Sequence, residues 1–120
     1  MGAMAAYEDV RAWCLARPGA DEAFPFGAEA AVFRVVGKMF AILVDAPVRL
    51  SLKCDPGEAE ALRATFPAVQ PGYHLSKRHW NTVAIDGSVP DDLIQEWIAD
   101  SYDLVVAGLP KAARPTRVET

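Results

Sequence analysis

Between Pro71 and Thr82 the chain reads Pro-Gly-Tyr-His-Leu-Ser-Lys-Arg-His-Trp-Asn-Thr, a short stretch dense in cations, imidazoles and large aromatic rings. Lys77 and Arg78 have the chemistry to pair with phosphates, His74 and His79 to donate hydrogen bonds, and Tyr73 or Trp80 to stack on bases or wedge between them. The plainer alternative is that Tyr73 and Trp80 anchor the core while the charged residues solvate a loop. Residue types alone leave both readings open.

Other chemistry is hard to find. The chain has no G-x-S-x-G, no G-x-G-x-x-G, no P-loop and no H-E-x-x-H, so the usual signals of hydrolase, dinucleotide, nucleotide and zinc sites are missing. His74 and His79 are poorly spaced for chelation on a helix face, and no neighbouring thiol or carboxylate completes a ligand set. Cys14 and Cys54 form no C-x-x-C pair and read as small buried hydrophobes that a reducing compartment keeps as thiols. A catalytic group assembled from distant residues, such as His74 or His79 with Cys54 or Tyr73, is the remaining enzymatic alternative. The expectation is a non-enzymatic domain with no cofactor and no metal.

The elements that must position residues 73–80 follow from periodicity. Ala6, Val10, Trp13 and Cys14 recur at helical spacing, and Pro18-Gly19 ends that helix. Residues 31–36 and 38–44 are β-rich runs, which predicts a hairpin with Gly37 and Lys38 at its tip. Phe24-Pro25-Phe26 reads as a short edge strand ahead of them. In residues 49–54 apolar and polar types alternate, so Leu50, Leu52 and Cys54 should face a core while Arg49, Ser51 and Lys53 face outward on a half-exposed strand. Asp55, Pro56 and Glu58 make a helix start, Ala59, Leu62 and Phe66 its buried side, and Pro67 its end. After the turn at Pro71-Gly72, residues 80–85 form a strand that stops at Asp86-Gly87. A last helix begins near Pro90, with Leu93, Ile94, Trp97, Ile98, Leu104 and Val105 as its stripe and Gly108 as its stop. Hairpin signals in place of regular strand-helix alternation predict an α+β fold with a mainly antiparallel sheet, helices on one face and the other face open.

Length fits one domain, expected over residues 5–110. Met1-Gly2-Ala3-Met4 reads as a cloning remnant before a native start, and residues 111–120 as a basic tail. No apolar run is long enough to cross a bilayer, so no membrane partner and a cytoplasmic location are expected.

The net charge of -4 hides an uneven distribution. Residues 1–30 carry two basic and five acidic groups, whereas residues 31–80 carry seven basic and four acidic ones. Residues 81–110 hold six acids and no lysine or arginine, and Asp92, Glu96, Asp100 and Asp103 fall opposite the apolar stripe of the last helix. The expected molecule is a dipole, acidic on its helical side and basic on the open sheet, that steers an anionic partner to the sheet.

Pro71-Gly72-Tyr73-His74, then Lys77-Arg78-His79-Trp80-Asn81-Thr82-Val83 and Ser101-Tyr102-Asp103-Leu104-Val105, resemble the MmcQ/YjbR family; Gly37-Lys38-Met39-Phe40 and Leu52-Lys53-Cys54 fit the same pattern. The resemblance runs from about Tyr7 to Pro110 and implies a CyaY-like α+β fold with a double-wing mode of DNA binding. Frataxin-type iron binding does not carry over, because Glu8 and Asp9 are too few to make an acidic ridge. The leading expectation is weak, largely sequence-independent DNA binding in which Arg34, Lys38, Arg49, Lys53, Lys77 and Arg78 contact phosphates, with His74 in the same loop and His79 and Trp80 nearest the groove. Six such contacts predict a log-log salt slope of about -5. The alternative is a protein-binding or small-anion-binding module that uses the same face.

Overall fold

The structure, a computed structural model, describes residues 6–115. The expected remnant at residues 1–4 and the end of the basic tail lie outside the described residues.

Helix α1 (Tyr7–Leu15) starts where the Asp9 carboxylate accepts the Ala6 N–H at 3.0 Å. Strands β1 (Ala20–Ala23), β2 (Ala30–Val35), β3 (Lys38–Val44) and β4 (Arg49–Lys53) follow, then helix α2 (Pro56–Thr65). Strands β5 (Val69–Pro71) and β6 (Trp80–Ala84) precede the long helix α3 (Asp91–Ala107) and a short 3-10 helix, Lys111–Ala113. The six strands form one sheet in the order β1-β2-β3-β4-β6-β5, with every pairing antiparallel. The α+β class and antiparallel sheet expected from the hairpin signals are present.

The hairpin between β2 and β3 closes in two residues, Val36 and Gly37, both with positive φ (51° and 76°), the backbone sense that matches strand twist in a tight turn. Phe40 is a bulged residue, because Phe33 pairs with Ala41 while Arg34 pairs with Met39. Strand β1 occupies residues 20–23, so the expected edge strand at Phe24-Pro25-Phe26 is displaced; those residues form a turn with Gly27 at φ 111° and expose Phe24 and Phe26.

One face of the sheet carries Ala31, Phe33, Val35, Leu43, Leu50, Leu52 and Val83 against Val10 and Cys14 of α1 and Ile94, Ile98, Tyr102 and Val105 of α3. Rings lock the layers: Phe40 meets Tyr102 edge-on at 5.4 Å, and Phe66 after α2 meets Trp97 at 5.2 Å. Leu104, expected in the buried stripe, is 40% exposed, and Ser101 and Tyr102 take the inner positions. The acids of α3, Asp91, Asp92, Glu96, Asp100 and Asp103, are all exposed.

Strand β4 departs from expectation in one respect. Leu50 and Leu52 face the helices as the alternation requires, but Ser51 is buried as well, because residues 73–75 fold back across the other face. The sheet is therefore covered in part on both sides, and the expected open face is reduced.

Candidate nucleic-acid interface

The pairing register sorts the expected site residues by position along the strands. Val35 pairs with Lys38, Lys53 with Trp80, and Pro71 with Asn81, so the β2–β3 turn, the end of β4 and both stems of the β5–β6 loop share one end of the sheet. With strands about 4.8 Å apart, the β2–β3 turn and the β5–β6 loop lie about 14 Å from each other, on either side of β4.

At that end Lys38 and Lys53 line a shallow depression with Trp80, Leu104 and Leu109. Next to it, Lys77 and Arg78 line a second depression with Arg63, Pro56, Gly57 and Glu60. The amide of Cys54 donates to the carbonyl of His79 at 2.8 Å, which joins the end of β4 to the loop. Two long side chains hold the loop's shape: Arg63 Nη1 donates to the Lys77 carbonyl at 2.8 Å, and Lys77 Nζ to the Gly72 carbonyl at 3.2 Å. The ion pairs within 4 Å among the described residues involve Arg11 and Arg34 and none of Lys38, Lys53, Lys77 or Arg78. His79 is exposed beside them.

Three expected contributors are placed otherwise. Arg34 is held by Asp21 across the β1–β2 pair, Nε to Oδ1 at 2.9 Å, which offsets its charge. Arg49 sits at the opposite end of β4, about 13 Å from Lys53 at the usual rise per residue, with its guanidinium carbon 5.3 Å from the centre of the Tyr73 ring. Trp80 is only 8% exposed: the Gly72 amide donates to its carbonyl at 2.8 Å, and the loop packs on its Cβ. It is a structural anchor and not a groove-facing wedge. Tyr73, 59% exposed, is the accessible ring of the segment, and His74, exposed and at φ 58°, lies tilted against it with ring centres 4.0 Å apart. The cations thus gather at one end of the sheet, where sequence reasoning had spread them over its open face.

Arg63 was missed by sequence reasoning. It is half-buried near the end of α2, and no local pattern signals that this helix meets residue 77. The two thiols are quiet: burial pushes Cys14 up to about 12, and burial with the Glu58 carboxylate nearby pushes Cys54 up to about 11.

The fold, and a similar sequence, are found in proteins of several bacteria. The protein DR2400 of Deinococcus radiodurans superposes with a TM-score of 0.86 over 97% of this chain and 94% of its own, at 41% identity. A Pseudomonas syringae protein superposes with a TM-score of 0.75 over 83% of this chain and 98% of its own, at 26% identity. Escherichia coli K12 YjbR is 37% identical over 109 residues, 89% of this chain and 92% of that protein. YbdF of E. coli O157:H7 is 34% identical over 108 residues, 88% of each chain. Together with a match of the YjbR family model to residues 15–104, these similarities establish that the chain belongs to the YjbR family.

Proposed function

We propose that this domain is a non-enzymatic DNA-binding module that docks the end of its sheet on the duplex backbone, with the β2–β3 turn and the β5–β6 loop as two wings. The observation that carries the reading is the gathering of Lys38, Lys53, Lys77 and Arg78 at one end of the sheet, none of them in an ion pair among the described residues. The wing separation of about 14 Å is comparable to the ~12 Å width of a B-form major groove. His79 adds a hydrogen-bond donor there. The net charge of -4 and the exposed acids of α3 repel a polyanion from the helical layer; Glu58 and Asp100, which share a cleft with Lys53, weaken the positive field at this end without forming an ion pair there among the described residues.

The contacts are to backbone, so binding is weak and tolerant of sequence. With Arg34 neutralised and Arg49 remote, four phosphate contacts remain, and the log-log salt slope is about -4. Fluorescence anisotropy of a labelled duplex across a salt series tests the reading. Absence of binding at low salt, or binding indifferent to salt, removes it.

A further inference from the structure

The face of the sheet turned away from the helices holds a second feature, whose arginine lies at the other end of β4 from Lys53. Ile42 and Val44 of β3, Arg49 and Ser51 of β4 and Thr82 of β6 form the floor of a cavity of about 290 Å³, and residues 73–75 roof it. The roof is tied down: the Tyr73 amide donates to Thr82 Oγ1 at 3.0 Å, and Thr82 Oγ1 lies 2.8 Å from Ser51 Oγ. None of the described residues that line it is acidic.

Arg49 is the anomaly. Among the described residues its buried Nε–H has no hydrogen-bond partner, and no ion pair within 4 Å uses it. Leaving a buried charged donor unpaired costs about 1–3 kcal/mol or more, so such a group is a strong acceptor-seeker. The Tyr73 ring 5.3 Å from its guanidinium carbon orients the planar head but accepts no hydrogen bond from Nε.

We infer that this cavity binds a small organic monocarboxylate with an apolar body, its carboxylate taken by Arg49 and its body by Ile42 and Val44. The Nε atom is closed off from solvent, so a carboxylate meets the Nη groups first and reaches the Nε–H only as the Tyr73 loop gives way; Nε–H with one Nη–H then makes a fork that matches a planar carboxylate. One proton of the Ser51 and Thr82 hydroxyls is spent between them, which leaves one hydroxyl proton and the His74 ring besides Arg49, fewer donors than the oxygens of a phosphate dianion call for. A second charge and further oxygens would meet Ile42 and Val44 unpaired. The volume is at the low end of ligand pockets, which suits molecules the size of benzoate or hexanoate. This assignment does not depend on DNA binding: the roof belongs to the same loop as Lys77 and Arg78, but Arg49, which takes the carboxylate, lies at the opposite end of β4 from Lys53.

The test is titration of the nitrogen-15-labelled full chain with benzoate, hexanoate and inorganic phosphate, followed by amide and arginine side-chain NMR. Saturable shifts of the Arg49 Nε–H, Tyr73 and Thr82 signals with the two carboxylates, and none there with phosphate, are expected. Arg49→Met should weaken carboxylate binding at least about tenfold, the loss of one charge-assisted hydrogen-bonded pair. Ala30→Phe, which keeps Arg49 and fills the cavity, should abolish it and decides the matter alone if Arg49→Met fails to fold. No saturable shift, shifts confined to Lys53, Lys77 and Arg78, phosphate binding as tight as benzoate, or unchanged affinity in Ala30→Phe would each overturn the assignment.

Discussion

Ser101 of α3 stands in for a missing rung between two strands: its hydroxyl donates to the Phe40 carbonyl at 2.6 Å and accepts the Lys53 N–H at 2.9 Å. Continuing the β3–β4 register places Phe40 opposite Lys53, but Phe40 is bulged, and the hydroxyl bridges the two backbone groups in place of a direct bond. One buried helix side chain thereby fixes where β3 and β4 part, and with it the spacing of Lys38 and Lys53. Ser101→Ala leaves both groups unpaired and should destabilise the fold by about 2–4 kcal/mol in urea unfolding.

Lys77→Glu with Arg78→Glu should abolish duplex binding at moderate salt, and Lys77→Gln with Arg78→Gln should reduce the log-log salt slope from about -4 to about -2. Arg34→Gln removes a charge already held by Asp21 and should leave the slope unchanged. A slope equally sensitive to all three positions would show that the interface is not confined to the end of the sheet.

Trp80 and Gly72 predict loss of structure before loss of any contact with a partner. A Cβ on Gly72 would sit 2.7 Å from Trp80 Cβ and 3.0 Å from its carbonyl oxygen, so Gly72→Ala must shift backbone and should cost about 1–3 kcal/mol. Trp80→Ala, which empties a buried site, should cost about 3–5 kcal/mol. Thermal melts of both variants, compared with Tyr73→Ala, check this; Tyr73 is exposed, and its removal should leave the melting temperature nearly unchanged.

Val36 offers a stabilising change. It is half exposed and β-branched, yet held at φ 51° in the two-residue turn before Gly37. Val36→Asn supplies the Asn-Gly pair that such turns favour and should raise stability by about 1 kcal/mol, read as a higher denaturant midpoint at constant slope.

Cys14 predicts an alkaline limb of stability. Burial raises its folded value from 9.0 to about 12, so above pH 9 the unfolded chain releases a proton that the folded one keeps. The contribution is full below pH 9 and is lost as pH rises toward about 12, at up to about 1.4 kcal/mol per pH unit. Cys14→Ala should lower stability overall and reduce that slope by the share of Cys14, leaving the share of Cys54, whose thiol is raised to about 11. An unchanged slope between pH 9 and pH 10.5 in urea melts would assign the alkaline limb to another group.

Much of this architecture was readable. The alternation of Leu50 and Leu52 gave the inner face of β4, the β-rich runs around Gly37 gave the hairpin, and Ile94, Trp97 and Ile98 gave the inner side of α3. The edges were not readable. Ala-Asp-Glu-Ala and Val-Gln-Pro have weak strand preference, and β1 and β5 exist because β2 and β6 offer them hydrogen bonds. The gathering of Lys38, Lys53 and Lys77 needed the register as well as residue types. The fates of Arg34 and Arg49 needed partners across the sheet, Asp21 in one case and the returning loop in the other, which lie far off along the chain.

Those weakly specified edges have a use of their own. Strand β5 offers only three residues to an incoming strand and ends in proline, which has no N–H to give, while β1 carries Asp21 and Glu22 at its centre. Neither rim makes a good template for a further strand, so a six-stranded sheet with two free margins is guarded against stacking edge to edge into polymers.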